Sequence, residues 1–225
     1  MNRFTQLCLL LLASLVLAWT QVAQEANKDY ATLEGRARIA KSLGDDNRKN
    51  RLQPAGMVAA LAIKPGATVA DVGTGVGMML PYLSEAVGPG GRVIAQDIQQ
   101  DFLDKAQARA KSDKLTNVSF VLGTDRNPRL PENQVDLVFV LDAYHHFDYP
   151  EEMLGHIGRA LKPDGRIAIV DFYRHRRGSD GKDMRNHVRA EKEEVLREIQ
   201  SYGYQILSQS DHGSNQYILI FKKKV

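Results

Sequence analysis

The 225-residue chain contains a single cysteine, Cys8. That rules out an internal disulfide. Because Cys8 lies in the N-terminal segment, the folded part also has no thiolate metal site and no cysteine nucleophile. A strong charge imbalance is missing too. The 30 lysines and arginines face 27 acids, a formal net charge of +3, too small to point to nucleic acid. Basic residues cluster at Arg174, Arg176 and Arg177 and at Lys222–Lys224, and they read as a solvated loop and a solvated tail. Internal repeats and low-complexity linkers are absent, so one domain is expected, and a chain of this length buries a core without staples. The one long apolar run, Leu7–Trp19, is too short for a comfortable membrane span. It follows Arg3 and precedes the polar stretch Thr20–Asn27. Residues 1–23 therefore read as a secretory signal peptide or an N-terminal membrane anchor. Either reading exports the domain, as a periplasmic or a membrane-anchored protein, with membrane contact only through this segment.

The informative stretch is Val69-Ala70-Asp71-Val72-Gly73-Thr74-Gly75-Val76-Gly77. It is an apolar strand that ends in an acid and runs into three alternate glycines. Twenty residues after Gly77, a second apolar strand, Val93–Gln96, ends in Asp97. The glycines let backbone approach a ligand, and an acid at that distance accepts both hydroxyls of a ribose. Dinucleotide folds require G-x-G-x-x-G, with a glycine where Met78 stands and usually an apolar residue where Asp71 stands. A NAD(P)-dependent oxidoreductase is therefore the weaker alternative.

Beyond Ala67 the pattern alternates. Strands are expected at 67–72, 91–97, 117–122, 135–141 and 165–173, with helices near 78–87, 99–112 and 149–161, which argues a parallel sheet. A further helix at 190–201 and two closing strands, 204–210 and 216–221, complete the chain. Residues 28–62 form a helical lead-in. Leu33, Ala37, Ala40 and Leu43 share one face, Gly44–Asn47 act as a stop, and Pro54 opens a short helix with Met57, Val58, Leu61 and Ala62 inward.

These motifs resemble, in order, those of the class I S-adenosylmethionine-dependent methyltransferases. The glycine segment is similar to that family's first motif, and Gly91–Asp97 to its second strand with the ribose acid. Val135–Leu141, followed by Asp142-Ala143-Tyr144-His145-His146-Phe147, resembles its fourth strand and substrate-facing segment. Leu161-Lys162-Pro163-Asp164-Gly165-Arg166 is similar to its L-K-P-G-G turn, with Asp164 replacing the first glycine. The motif pattern is similar to the ubiquinone and menaquinone methyltransferase branch, and whole-chain texture more closely resembles exported bacterial proteins predicted to be methyltransferases. The resemblance implies a Rossmann-like, doubly wound α/β fold. Its seven-stranded sheet would be mostly parallel with an antiparallel last strand. Residues 28–62 would cap a cofactor-binding domain at 63–225.

It also implies S-adenosylmethionine as cofactor and a small-molecule or lipid-like acceptor. Gly73, Gly75 and Gly77 would keep the loop clear of side chains. Asp71 would accept from the cofactor's ammonium, Asp97 from its ribose, and Ile98 would pack on its adenine. Thr124 or Asp125 would meet the adenine amino group, and Asp142 would border the same site. His145 or His146 would serve as base where the acceptor carries a proton. His175 and His187 read as idle loop residues, and His156 and His212 as surface residues. A magnesium site on Asp142 and Asp171 is disfavoured because Phe172 stands at the asparagine position of metal-dependent relatives, so no resident metal is expected. An exported binding protein that keeps the fold without turnover is the remaining alternative.

Overall fold

The structure is a computed structural model that describes residues 23–224 except 25, 178–180 and 182. The expected leader, apart from Ala23, and Cys8 lie outside the described residues. Among the described residues no helix is long and apolar enough to cross a membrane.

The lead-in opens with a 3-10 turn at Lys28–Ala31, followed by α1 (Leu33–Leu43), α2 (Asp46–Leu52) and α3 (Pro54–Ala60). The stop expected at Gly44–Asn47 is instead a junction. Gly44 closes α1, and the Asp45 carboxylate accepts from the Asn47 amide at 2.6 Å, capping an additional helix. Leu33 lies outside the expected apolar face and is 72% exposed. The packing face of α1 is Ala40 with Ile39 and Leu43, set against Val76 and Phe102.

The sheet is built from β1 (Thr68–Val72), β2 (Arg92–Asp97), β3 (Val118–Leu122), β4 (Val135–Leu141), β5 (Leu161–Phe172), β6 (Tyr204–His212) and β7 (Gln216–Lys223). Their order is β3-β2-β1-β4-β5-β7-β6, and only β7 runs against the others. Helices α4 (Leu80–Val87), α5 (Gln100–Ser112), α6 (Pro150–Ala160) and α7 (Lys192–Ser201) cover it. Successive residues of β4 enter opposite cores. Val138 and Val140 pack with Met153, Leu154 and Ile157 of α6 and Val195 and Ile199 of α7. Leu137, Phe139 and Leu141 pack with Met57, Leu80, Leu83 and Ala106 on the other face. Burial on both faces explains why the central strands read as continuous apolar runs.

β5 starts at Leu161, earlier than the expected 165. Val135 pairs with Leu161 but Leu137 pairs with Arg166, so the Lys162–Gly165 turn is a bulge carried inside the strand. A Cβ on Gly165 would stand 2.9 Å from the Val135 carbonyl oxygen, which is why glycine ends this turn.

The sheet order reverses between β1 and β4. In open α/β sheets the crevice at the carboxyl ends of such strands is where ligands bind.

Candidate functional site

At that crevice lies a cavity of about 340 Å³, within the usual range for small-molecule sites. The carboxyl ends of β1 and β2 and the loops after β1, β2 and β3 supply Asp71, Gly73, Gly75, Asp97, Ile98, Thr124 and Asp125. The segment after β4 supplies Asp142, Ala143, His146 and Phe147, and the lead-in supplies Asn27, Tyr30, Leu43 and Arg48.

The glycine loop is held from two sides. Gly73 and Thr74 donate their amides to the Gln96 carbonyl at 2.9 Å, and the Gly75 amide donates to Asp97 Oδ2 at 2.9 Å. Gly75 has φ +56°, a conformation that side chains disfavour. Gly77 departs from its expected role. It does not line the cavity, and a Cβ there would stand 3.1 Å from the Cα of Ala106. Its lack of a side chain serves the packing of the loop on α5.

Asp97 accepts from Gly75 through one oxygen and from the Gln99 amide through the other, at 2.9 Å each. The carboxylate thus ties β2 to the glycine loop while still bordering the cavity. Burial pushes its carboxyl up, and the amides of Gln99, Gly75 and Ile98 oppose that. Asp71 is pushed up to about 7, first by burial, with the Thr74 hydroxyl at 2.7 Å opposing and Asp97 adding repulsion. It makes no ion pair among the described residues. Ile98 stands 45% exposed at the cavity. The Thr124 hydroxyl is occupied in its own turn, accepting from the Asn127 amide at 3.0 Å. The Asp125 carboxylate stands exposed at the rim.

Asp142, expected beside the cofactor, is engaged by the lead-in. Arg48 donates to its Oδ2 at 2.7 Å and Gln216 to its Oδ1 at 2.5 Å. Burial pushes its carboxyl up to about 7, against the pull of Arg48. Asp171 faces a different partner. Its Oδ1 lies 2.7 Å from His145 Nδ1, and its Oδ2 accepts from the His145 amide at 3.0 Å. Burial pushes Asp171 up to about 7, and the amides of Phe172 and His145 oppose this.

The paired histidines separate in role. His145 is buried and does not line the cavity, so it is not placed to touch an acceptor. His146 does line it, and its Nδ1 lies 2.7 Å from Asn27 Oδ1. Burial holds both rings well below the ordinary histidine range. His187, expected to idle in a loop, is half-buried with its Nε2 3.1 Å from His145 Nε2. The segment is anchored from behind. The Tyr144 hydroxyl donates to Glu198, which also receives the buried Arg189 guanidinium.

Sequence reading missed Asn27, Tyr30, Arg48 and Gln216. None belongs to a recognisable motif, and they come from distant parts of the chain. The one available signal was the polar interruption at Gly44–Asn47, which marks a helix start as readily as a stop.

A family profile described as "Methyltransferase domain" matches residues 70–169. The solved structure of a SAM-dependent methyltransferase from Aquifex aeolicus superimposes with a TM-score of 0.77. It is 28% identical, over 82% of this chain and 96% of that one. Residues 70–169 thus match a methyltransferase domain, and the fold is that of class I S-adenosylmethionine-dependent methyltransferases. Nocamycin O-methyltransferase of Saccharothrix syringae is 34% identical over 107 residues, covering 48% of this chain and 38% of the relative. A ubiquinone/menaquinone biosynthesis C-methyltransferase of Burkholderia mallei is 26% identical over 115 residues, covering 51% and 47%. The chain spans less than half the length of these curated relatives.

S-adenosylmethionine is the cofactor that the domain match and the fold imply, and the cavity fits it. Asp71 is a buried carboxylate without a cationic partner among the described residues, suited to the ligand's ammonium. Gln96 Nε2 is a buried donor without a partner among the described residues and belongs to the same lining.

Proposed function

We propose that the protein transfers a methyl group from S-adenosylmethionine to a small-molecule or lipid-like acceptor by in-line displacement. The observation that carries this reading is the meeting of two buried carboxylates, Asp71 and Asp97, with the glycine loop at one cavity. When bound, the cofactor supplies a methyl carbon made electrophilic by its sulfonium. The chain's own task is to hold, align and exclude water. Asp97 and Asp125 would orient the nucleoside, and Asp71 with Gln96 the amino-acid end. Tyr30, Leu43 and Arg48 of the lead-in would roof the cavity. Phe147 and Ala143 would give the acceptor end an apolar wall.

Met78 opposes the oxidoreductase alternative. It is buried in the cavity lining, where a dinucleotide site requires glycine. The apolar Leu7–Trp19 run supports export, by cleavable signal or anchor, and cell fractionation of the tagged chain tests that part.

An acceptor hydroxyl or thiol must lose its proton before or during transfer. His146 is the imidazole at the cavity, yet its proton affinity is held far down, so it is a poor proton store at neutral pH.

Incubation with methyl-tritiated S-adenosylmethionine and a small-molecule extract of the source cells tests the proposal. Label should pass to an extractable compound in wild type and not in Asp97→Ala. Label that stays with the cofactor under every extract opposes turnover.

A further inference from the structure

We propose that His145, His146 and His187 form a binding site for one divalent transition-metal ion of borderline softness, with zinc as the reference case. One ring nitrogen from each of the three lies within 4.8 Å of the others. His145 and His146 are neighbours in the 3-10 turn after β4, and His187 follows the 3-10 turn at Met184–Asn186. The topology thus brings together ligands separated by some forty residues.

The surrounding hydrogen bonds fix which nitrogens face inward. His145 Nδ1–H donating to the Asp171 carboxylate leaves the ring's lone pair on Nε2. Asn27 donates its amide to the His146 carbonyl at 3.1 Å and to Asp148 at 3.3 Å. That orientation leaves Asn27 Oδ1 to accept the Nδ1 proton of His146, so its Nε2 also carries a lone pair. Two imidazoles are therefore held in the tautomer a metal needs, one by a carboxylate and one by an amide. This is the outer-shell arrangement typical of metal-bound histidine. The 3.1 Å between His145 Nε2 and His187 Nε2 suits a hydrogen bond. It is also close to the roughly 3.3 Å that separates two tetrahedral nitrogens about 2.0–2.1 Å from zinc.

An all-imidazole set selects zinc-like or later transition ions over magnesium or calcium, which prefer oxygen. Three protein ligands leave a fourth position, and of the three rings His146 borders the cavity.

The consequence for catalysis rests on the methyl-transfer reading, whereas ion binding does not. An acceptor hydroxyl or thiol that occupies the fourth position loses its proton to water, because the ion stabilises the anion. An electron pair of that anion forms the bond to the methyl carbon. The carbon–sulfur pair returns to sulfur as a neutral thioether, and the metal keeps its oxidation state.

The test uses the full chain, stripped with dipicolinate and titrated with Co²⁺ alone, without cofactor. The expected result is one Co²⁺ per chain, with the visible absorption of a low-coordinate site, displaced stoichiometrically by Zn²⁺. His187→Gln and His146→Gln should each weaken binding by about 100-fold or more, and Asp171→Asn by about 10- to 100-fold. His156→Gln, on the far helix α6, should leave it unchanged. Far-UV circular dichroism reads whether each variant is folded. Absence of the cobalt spectrum in wild type overturns the proposal, as does an unaltered spectrum in folded His146→Gln and His187→Gln. Because no cofactor is present, either result leaves the methyl-transfer reading to its own test.

Discussion

Arg48 and Asp142 lie 94 residues apart in sequence, yet Arg48 Nη2 donates to Asp142 Oδ2 at 2.7 Å, with side chains only 17% and 8% exposed. This ion pair fastens the lead-in to the carboxyl end of β4, over the cavity. Arg48→Ala leaves Asp142 buried with Gln216 as its remaining hydrogen-bond donor. Breaking a buried pair costs about 3–5 kcal/mol, less where water reaches one partner. The variant should lose roughly 1–3 kcal/mol, show faster amide exchange across residues 33–52, and bind cofactor more weakly. Unchanged exchange there would separate the pair from roof closure.

Asp71 gives a pH dependence of defined sign. Its folded pKa of about 7 lies above the ordinary 3.8, so the folded state binds the extra proton. Its contribution to stability is full below the unfolded pKa and is lost as pH rises through about 7. Asp71→Asn should therefore gain stability relative to wild type as pH rises from about 4 to about 7, read from urea midpoints. A cofactor ammonium favours the carboxylate, so binding to wild type should release a proton near pH 7. Calorimetry in buffers of different ionisation enthalpy detects this, and Asp71→Asn should abolish it.

Gly75 and Gly77 should separate affinity from stability. Gly75→Ala meets the tip of the Leu43 side chain at 2.9 Å, which can yield, but it does so inside the cavity lining. Gly77→Ala meets backbone at Ala106 with φ +76° and lies outside the lining. Alanine in left-handed backbone costs about 1–2 kcal/mol at either position. Gly77→Ala should lower the melting temperature more, and Gly75→Ala should weaken cofactor binding more. The reverse order would restore Gly77 to the ligand site.

Glu198 receives both Tyr144 and Arg189 in the buried wall behind the histidines. Glu198→Gln removes the carboxylate that pairs with the buried Arg189 guanidinium, and breaking a buried pair of this kind costs about 3–5 kcal/mol. Glu198→Leu combined with Arg189→Met should recover most of that loss in thermal unfolding.

The sheet was legible because burial on both faces writes each central strand as an apolar run closed by Gly, Asp or Pro. Val135–Leu141 is placed to the residue, and α6 is announced by Pro150 with Glu151 and Glu152. The start of β5 was less legible, since a bulge across Lys162–Gly165 has the composition of a turn. In the site, Asp71, Gly73, Gly75 and Asp97 were readable because one strand–loop–helix unit carries them. Arg48, Asn27 and Gln216 were not, because their role exists only once distant segments meet. His187 shows the same limit. Its loop context reads as an idle surface residue, and the fold brings its ring against those of His145 and His146 in the 3-10 turn after β4.

The most direct test of the account is isothermal calorimetry of S-adenosylmethionine binding to wild type, Asp97→Asn and Asp97→Ala. Two charge-assisted hydrogen bonds at about 1.5–3 kcal/mol each predict a loss of affinity of roughly 100-fold or more in both variants. Wild type should bind one equivalent. Equal affinity in all three proteins, or no binding by wild type, would contradict the central claim that Asp97 and the glycine loop together hold the adenosyl group.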